Sequence, residues 1–355
     1  MVGTNYSNHQ SVVIEWLRFS MTVAVVVLHA SSVHVVPSLP VYSTLCVLFP
    51  QGLCRIAVPC FFLISGYLFY KNLENWHWDI WKRKIVRRAR SLLVPFLLWN
   101  VIAAIVFLSY QYLRYRMGSL NATDFTYIPS QWGWGWTSIF WSVNDTGMPL
   151  DYPLWFVRDL IIYTILTPLI YSICRYLKGV GILALAILLF IILDTQKGLF
   201  FFTCGAWLSI TKKDIVQFFY PLRWPATIIS FMILGLFPFT YKTLFSVYQH
   251  LLDLFTISGC ICVLTTTSMG IKNGVFHMRP FLSKSSFFIF AAHGILILDD
   301  FAKFIMLHIT SSRNDLYYCC DLLFRPLIAI LICLGLYYIL NRFIHRFTSL
   351  LTGAR

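Results

Sequence analysis

The chain has 355 residues, of which 58% are hydrophobic and 12% charged, and its mean hydropathy is +0.72. A soluble domain carries about twice that share of charged residues, so the composition excludes a soluble globular protein. The formal net charge of +14 is interpreted as membrane topology and attraction to anionic lipids rather than as nucleic-acid binding. We find no linker, soluble domain, internal repeat or removable signal peptide, and therefore expect one polytopic unit over residues 1–355.

Apolar runs predict an all-α integral membrane protein with about ten transmembrane helices. The predicted spans are 13–36, 46–69, 92–112, 153–174, 180–194, 198–210, 224–241, 251–269, 286–307 and 320–340. Lys and Arg are concentrated in every second connection, eighteen on one side against five on the other. The positive-inside rule then predicts that both termini are cytoplasmic and that 114–152 is the longest outer loop.

The first span carries Arg18 and His29, eleven residues apart. At about 100° per residue the two side chains share one helix face, roughly 16 Å apart along the axis, and Glu15 and Thr22 lie close to the same stripe. A charge in the bilayer costs several kcal/mol unless it faces partners or water, which favours a functional face. The alternative is a buried packing pair in which Glu15 neutralises Arg18.

The second span ends in a distinctive string from Arg55 to Phe69, RIAVPCFFLISGYLF. Arg55 is a candidate functional residue, a positive group that can contact a substrate or an oxyanion, and the alternative is a bridge to a carboxylate such as Asp159. Arg158 has the same two interpretations, because Arg158 and Asp159 are adjacent and can neutralise each other. Six basic residues lie between positions 82 and 90, and for this run as a whole we favour anchoring at the inner leaflet.

The outer loop contains Trp132, Trp134 and Trp136, separated by single glycines. In an extended stretch alternation places them on one face, which suits the apolar faces of sugar rings. The alternative is the aromatic belt found at any membrane interface. Most of the ten cysteines lie in apolar spans without the spacing of zinc ligands, so we predict neither a metal site nor a permanently bound cofactor.

These pieces, in this order, resemble the membrane acyltransferase-3 family, and within it the compact type that acetylates enterobacterial common antigen. The resemblance rests on the Arg-x10-His of the first span, the Arg55–Phe69 string and three later segments. These segments are the basic run leading into LLVP at 92–95, PLWFVRD at 153–159 leading to TP at 167–168, and SKSSFFIFAAH at 283–293. The family attaches acetyl or other acyl groups to sugars of surface polysaccharides and lipid-linked glycans. The resemblance covers about residues 13–345, and it implies a multi-pass protein of a bacterial cytoplasmic (inner) membrane.

The resemblance implies an acyl-CoA donor, with acetyl-CoA as co-substrate, and a glycan or lipid-linked oligosaccharide acceptor. His29 is an ionisable group of its span suited to proton transfer near neutral pH, and the resemblance marks the histidine of Arg-x10-His as essential, so we assign it as general base, with an acyl-imidazole as a second possibility. Arg18 is suited to holding an anion. The resemblance marks His293 and Ser286 as further site residues and Arg88-x-Arg90 as the donor contact.

Two other classes of function compete with acyl transfer. A transporter or flippase of lipid-linked sugars would also need polar residues within the membrane. Repeated halves and matching broken helices are typical of transporters, and the sequence has neither. A membrane scaffold is the third class. The residues leave open whether the acyl group is acetyl or longer.

Overall fold

The computed structural model describes residues 2–31, 38–73, 76–119, 135–143, 146–194, 197–309 and 314–353. Over these ranges the chain is helical and contains no strand, which confirms the predicted all-α fold class. Its α-helices, in chain order, are α1 (Val2–Ala30), α2 (Pro40–Leu48), α3 (Ala57–Tyr70), α4 (Trp78–Arg88), α5 (Val94–Arg116), α6 (Ser138–Trp141), α7 (Trp155–Ile165), α8 (Thr167–Ser172), α9 (Lys178–Ile187), α10 (Lys197–Ile210), α11 (Ile215–Phe219), α12 (Arg223–Thr243), α13 (Phe245–Lys272), α14 (Pro280–Ala292), α15 (Lys303–Ile309), α16 (Asp315–Phe343) and α17 (His345–Leu351).

Eight helical stretches within the described ranges are long and apolar enough to cross a membrane. They are His9–Ala30, Pro40–Tyr70, Trp78–Arg116, Thr167–Ile192, Ile215–Thr243, Phe245–Lys272, Pro280–His308 and Asp315–Phe343. The helix Lys197–Ile210 is apolar but shorter. The multi-pass membrane architecture is therefore confirmed, and the predicted boundaries differ mainly between residues 153 and 194.

The difference arises from where the backbone breaks. The predicted span 153–174 is divided, because α7 ends at Ile165 and a new helical stretch begins at Thr167. The predicted gap between 174 and 180 is instead a corner at Lys178, whose φ of 49° lies in the left-handed region. A non-glycine residue is uncommon in that region, and hydropathy does not predict the corner.

Helix α1 lies at the centre of the bundle, in contact with α3, α13, α14 and α16. Its apolar face is fully covered, with Val13, Leu17 and Val26 at 0% exposure. This placement explains how a helix with polar residues is accommodated, since neighbouring helices bury Thr22 fully and Arg18 partly. Helix α12, by contrast, leaves Phe231 and Met232 exposed on a face available to lipid.

The closest helix crossing joins α3 to α10. A Cβ atom placed on Gly66 would lie 2.0 Å from the Phe202 carbonyl oxygen, and one on Gly205 would lie 2.0 Å from the Leu63 carbonyl oxygen. Small residues let the two backbones approach in this way, which is how helices gain contact in lipid without a hydrophobic driving force. This crossing fixes α3, which carries part of the site described below.

Candidate active site

Two histidines from opposite ends of the sequence form a hydrogen-bonded pair. His29 lies next to the last residue of α1, and His293 directly follows α14. The His29 Nδ1 atom lies 2.9 Å from the His293 Nε2 atom, and the ring planes are 13° apart. His293 is fully buried, whereas His29 is partly buried. The packing of α1 against α14 therefore brings together two of the predicted site residues.

The second bond of His293 determines how protons are distributed over the pair. The His293 Nδ1 atom lies 3.0 Å from the Ile289 carbonyl oxygen, which only accepts hydrogen bonds. His293 Nδ1 therefore carries a proton, and in the neutral ring His293 Nε2 is an acceptor. His29 must then donate from its Nδ1 atom, which leaves the lone pair on His29 Nε2. This assignment follows from the bonding partners, and it gives His29 the form that a general base requires.

The pair is enclosed by aromatic rings and by a break in the helical backbone. The Tyr152 ring lies edge-on to His29 at 4.9 Å, and the Phe290 ring lies 6.4 Å from His293. Two residues after His293, the backbone leaves helical geometry at Ile295 and Leu296, with φ of 58° at Leu296. A strained backbone at this position is typical of functional sites, where it is held by surrounding packing.

A cavity of about 1130 Å³ opens toward the other end of α1. Nine basic side chains and one acidic side chain, Glu15, line it. The basic residues are Arg18, Lys71, Lys82, Arg83, Lys84, Arg87, Arg88, Arg90 and Lys284. We call this space the basic cavity. Its composition favours an anionic ligand with several negative charges.

Among the described residues, the guanidinium groups that line the basic cavity form no ion pair or hydrogen bond, which leaves them available to such a ligand. Arg18 lies within Coulombic range of Arg88, a repulsive arrangement that an anion would relieve. Within the described ranges Arg18 has no hydrogen bond to an acid, although Glu15 lies within Coulombic range of it. Arg88 lies over the Phe69 ring at 5.9 Å. The predicted donor contacts Arg88 and Arg90 thus share one cavity with Arg18.

Arg90 lies in a π-helical segment, Ala89–Leu93, that forms part of the cavity wall. Pro95 has no backbone N–H with which to continue the α-helical pattern, and the Val94 N–H instead donates to the Ala89 carbonyl. Segments of this kind often occur at functional sites. Ser286 also lines the cavity, where its hydroxyl donates to the Leu282 carbonyl at 3.0 Å.

Two other predicted arginines lie outside the basic cavity. Arg158 donates to both the Trp141 and Gly147 carbonyl oxygens at 2.8 Å and to Asp159 at 2.9 Å, so it holds its own loop and the neighbouring acid. Arg55 is exposed, and among the described residues its side chain donates to Gln51. The alternative bridge from Arg55 to Asp159 is therefore not formed, although Arg55 lies within Coulombic range of His29. Trp132 and Trp134 lie outside the described residues.

One functional candidate, Arg325 of α16, was not singled out from the sequence. It is 2% exposed, pairs with Asp321 at 3.1 Å, and donates to the carbonyl of Ala30, the residue after His29. Its Nε atom is buried without a partner in the described part of the chain. An arginine within an apolar span was the available signal. Only the fold, however, brings Arg325 to the end of α1.

Comparisons with known proteins identify the family of the chain. The family described as acyltransferase domain, acyltransferase-3, matches residues 12–340. A succinoglycan biosynthesis protein, ExoH, of Rhizobium meliloti (strain 1021) is 28% identical over 322 residues, which cover 86% of this chain and 80% of the relative. No solved structure matches the chain. The match across nearly all of the helical bundle confirms the resemblance seen in the sequence, and the chain belongs to the acyltransferase-3 family.

Proposed function

We propose that this protein is a membrane O-acyltransferase that moves an acetyl or other short acyl group from acyl-CoA to a sugar hydroxyl of a surface polysaccharide or lipid-linked glycan. One observation carries the proposal. The same helix, α1, presents His29 in a hydrogen-bonded pair and Arg18 in the basic cavity. A proton acceptor and an anion site are thereby held on one rigid element.

The donor binds in the basic cavity in this proposal. Coenzyme A carries several phosphate charges, and arginine forks match phosphate oxygens in bidentate geometry. Arg18, Arg88 and Arg90 hold these phosphates, with Ser286 on the adjacent wall. The predicted topology puts the basic side in the cytoplasm, where acyl-CoA is made. Thr22 lines the cavity seven residues before His29, about 10 Å along the helix axis, a distance that an extended thioester arm can bridge.

His29 acts as the general base in the transfer. Its Nε2 atom takes the proton of the sugar hydroxyl as the oxygen attacks the thioester carbonyl carbon. The tetrahedral intermediate then collapses, the carbon–sulfur bond breaks, and the thiolate of coenzyme A leaves and receives the proton from His29. His293 accepts from His29 Nδ1 throughout and holds the imidazolium that forms, the role that an orienting acid plays in a catalytic triad.

The acceptor approaches from the opposite side of the pair. Arg325 and Arg55 lie near the outer end of α1 in the predicted topology, and either supplies a positive group for the developing oxyanion or the glycan. The relative's printed name places it in succinoglycan biosynthesis, which supports a glycan acceptor. A lipid-linked glycan would present its hydroxyl at a bacterial inner membrane, the location we propose. The predicted outer loop would contact this glycan. Trp132 and Trp134 belong to the loop, and Arg158 anchors it.

The test uses purified protein in nanodiscs with labelled acetyl-CoA and a lipid-linked oligosaccharide. We expect label on the glycan, and about a 10²–10⁴-fold lower rate in His29→Ala, the range typical of a lost general base. His9→Ala is the matched control, because His9 lies on the same helix and bonds to Ser268 at 2.9 Å, away from the cavity. Equal rates in the two variants would contradict the proposal. Movement of glycan across the membrane without label would instead indicate a flippase.

A further inference from the structure

Three phenylalanines in the wall of the basic cavity contact one another, and one of them also contacts the histidine pair. Phe61 of α3, Phe156 of α7 and Phe290 of α14 contact one another in all three combinations, with ring centroids 5.6, 5.8 and 6.2 Å apart. All three line the cavity, whereas neither His29 nor His293 does. Phe290 also contacts the His293 ring. We call these three residues the phenyl collar.

The collar belongs to the apolar part of the cavity lining. Apolar side chains beside it, Ile64, Val157 and Leu160 among them, line the same cavity. Phe156 and Phe290 are 8% and 4% exposed, so little open surface remains between the rings. The cavity lining therefore combines charged groups, where phosphates would bind, with aromatic and aliphatic carbon, and at Phe290 this apolar part contacts His293.

We infer that the phenyl collar is the acyl-binding subsite of the donor and selects the length of the acyl chain. The inference rests on the proposed function, because it takes an acyl thioester as the ligand of the basic cavity. The phosphates remain among the arginines while the acyl group passes between the rings to reach His29. According to this inference, the three rings determine whether the transferred acyl group is acetyl or longer, which the sequence leaves open.

Packing explains why three rings in mutual contact would select for size. Protein interiors are close-packed, so a collar with touching rings admits a longer chain only by moving side chains from three helices. One methylene more or less in an apolar pocket changes kcat/KM by about 10–200-fold. The closed collar therefore favours acetyl and propionyl donors over butyryl and longer ones.

The test measures kcat/KM for acetyl-, propionyl-, butyryl- and hexanoyl-CoA with one glycan acceptor. In Phe290→Ala and Phe156→Ala we expect the butyryl-to-acetyl ratio to rise about 10- to 100-fold. Phe61→Trp, which adds volume, should lower the propionyl-to-acetyl ratio. Phe290→Leu is a milder variant in case the alanine variants do not fold.

The matched control is Phe288→Ala. Phe288 lies on the same helix and is equally buried at 2% exposure, but it packs on Trp99 and does not line the cavity. Its donor ratios should equal those of the unmodified protein. Unchanged ratios in every collar variant would overturn the inference while leaving the proposed function intact. Absence of transfer from every donor in the unmodified protein would instead contradict the proposed function.

Discussion

The histidine pair and the basic cavity share helix α1 yet are built in opposite ways. At the pair, protein groups occupy three of the four ring nitrogens, and His293 is fully buried. At the cavity, nine basic side chains face one acid. The pair is thus preorganised by the protein itself, whereas the cavity is complete only when an anion fills it.

Mutations at the histidine pair and mutations at the basic cavity should therefore have different kinetic effects. Changes at the pair should act on the chemical step, because a preorganised group contributes to the transition state without further ordering. Changes at the cavity should act on donor binding and depend on salt, because exposed charges are screened within about 10 Å at 0.1 M ionic strength. Measured kcat and KM can distinguish the two.

After His29, the largest effect is expected from His293. His293→Ala removes the acceptor for His29 Nδ1, so the base loses its tautomer and orientation, and kcat should fall about 10²–10³-fold with little change in the KM for acyl-CoA. Steady-state kinetics with labelled acetyl-CoA give both constants.

The conservative variant His293→Gln distinguishes positioning from mere packing. The glutamine side-chain oxygen can accept from His29 Nδ1, so this variant should recover at least tenfold of the lost rate. A common fall in both variants, accompanied by loss of folded protein, would mean that His293 is a packing residue.

An intermediate effect is expected from the cavity arginines. Replacing Arg88 and Arg90 together with Gln should raise the KM for acyl-CoA about 10- to 100-fold, since each lost charge-assisted bond is worth about 1.5–3 kcal/mol before screening, while kcat stays nearly constant. The penalty should shrink as salt rises, because screening weakens donor binding in the unmodified protein.

The control for the double variant of Arg88 and Arg90 is the double variant Arg342→Gln and Arg346→Gln. Both residues are exposed, both lie in a predicted basic connection, and neither lines the cavity. If this variant raises KM equally, the effect comes from total positive charge at the membrane surface rather than from the basic cavity.

The sequence predicted relations within one helix but not contacts between helices. The spacing of Arg18 and His29 placed both on one face of one helix, because helical periodicity acts locally. The bond between His29 and His293 joins residues 264 positions apart, and no local pattern specifies such a contact. The phenyl collar likewise takes one ring from each of three helices. Membership in the family, rather than periodicity, pointed to His293.

The charged residues within the bundle show the same difference between local and long-range contacts. Arg158 and Asp159 are neighbours in sequence and form the local ion pair that adjacency suggested. Arg325 could be counted as a basic residue within a span, but its bond to Ala30 depends on how α16 packs on α1. Similarly, hydropathy identified the apolar runs but not the corner at Lys178, which is a backbone property.

The smallest effect is expected from Asp151, which tests whether the region around the pair is free of net charge. Asp151 lies in the connection before α7, next to Tyr152, and is fully buried. Neither carboxylate oxygen has a hydrogen-bond partner in the described part of the chain. Burial raises the pKa of the Asp151 carboxyl well above its usual range, so the folded protein favours the neutral acid.

A raised pKa in the folded state means that the stabilising neutral form is lost as pH rises. From the usual aspartate pKa of about 4 upward, the unfolded chain ionises while the fold resists, so stability declines until the folded pKa is passed. Asp151→Asn, which is always neutral, should therefore have a Tm a few degrees above that of the unmodified protein at pH 8, with the gap closing toward pH 5. Thermal unfolding in detergent at several pH values measures this. A Tm lowered equally at every pH would mean that the carboxylate is charged and paired, and that the region around the histidine pair is not neutral.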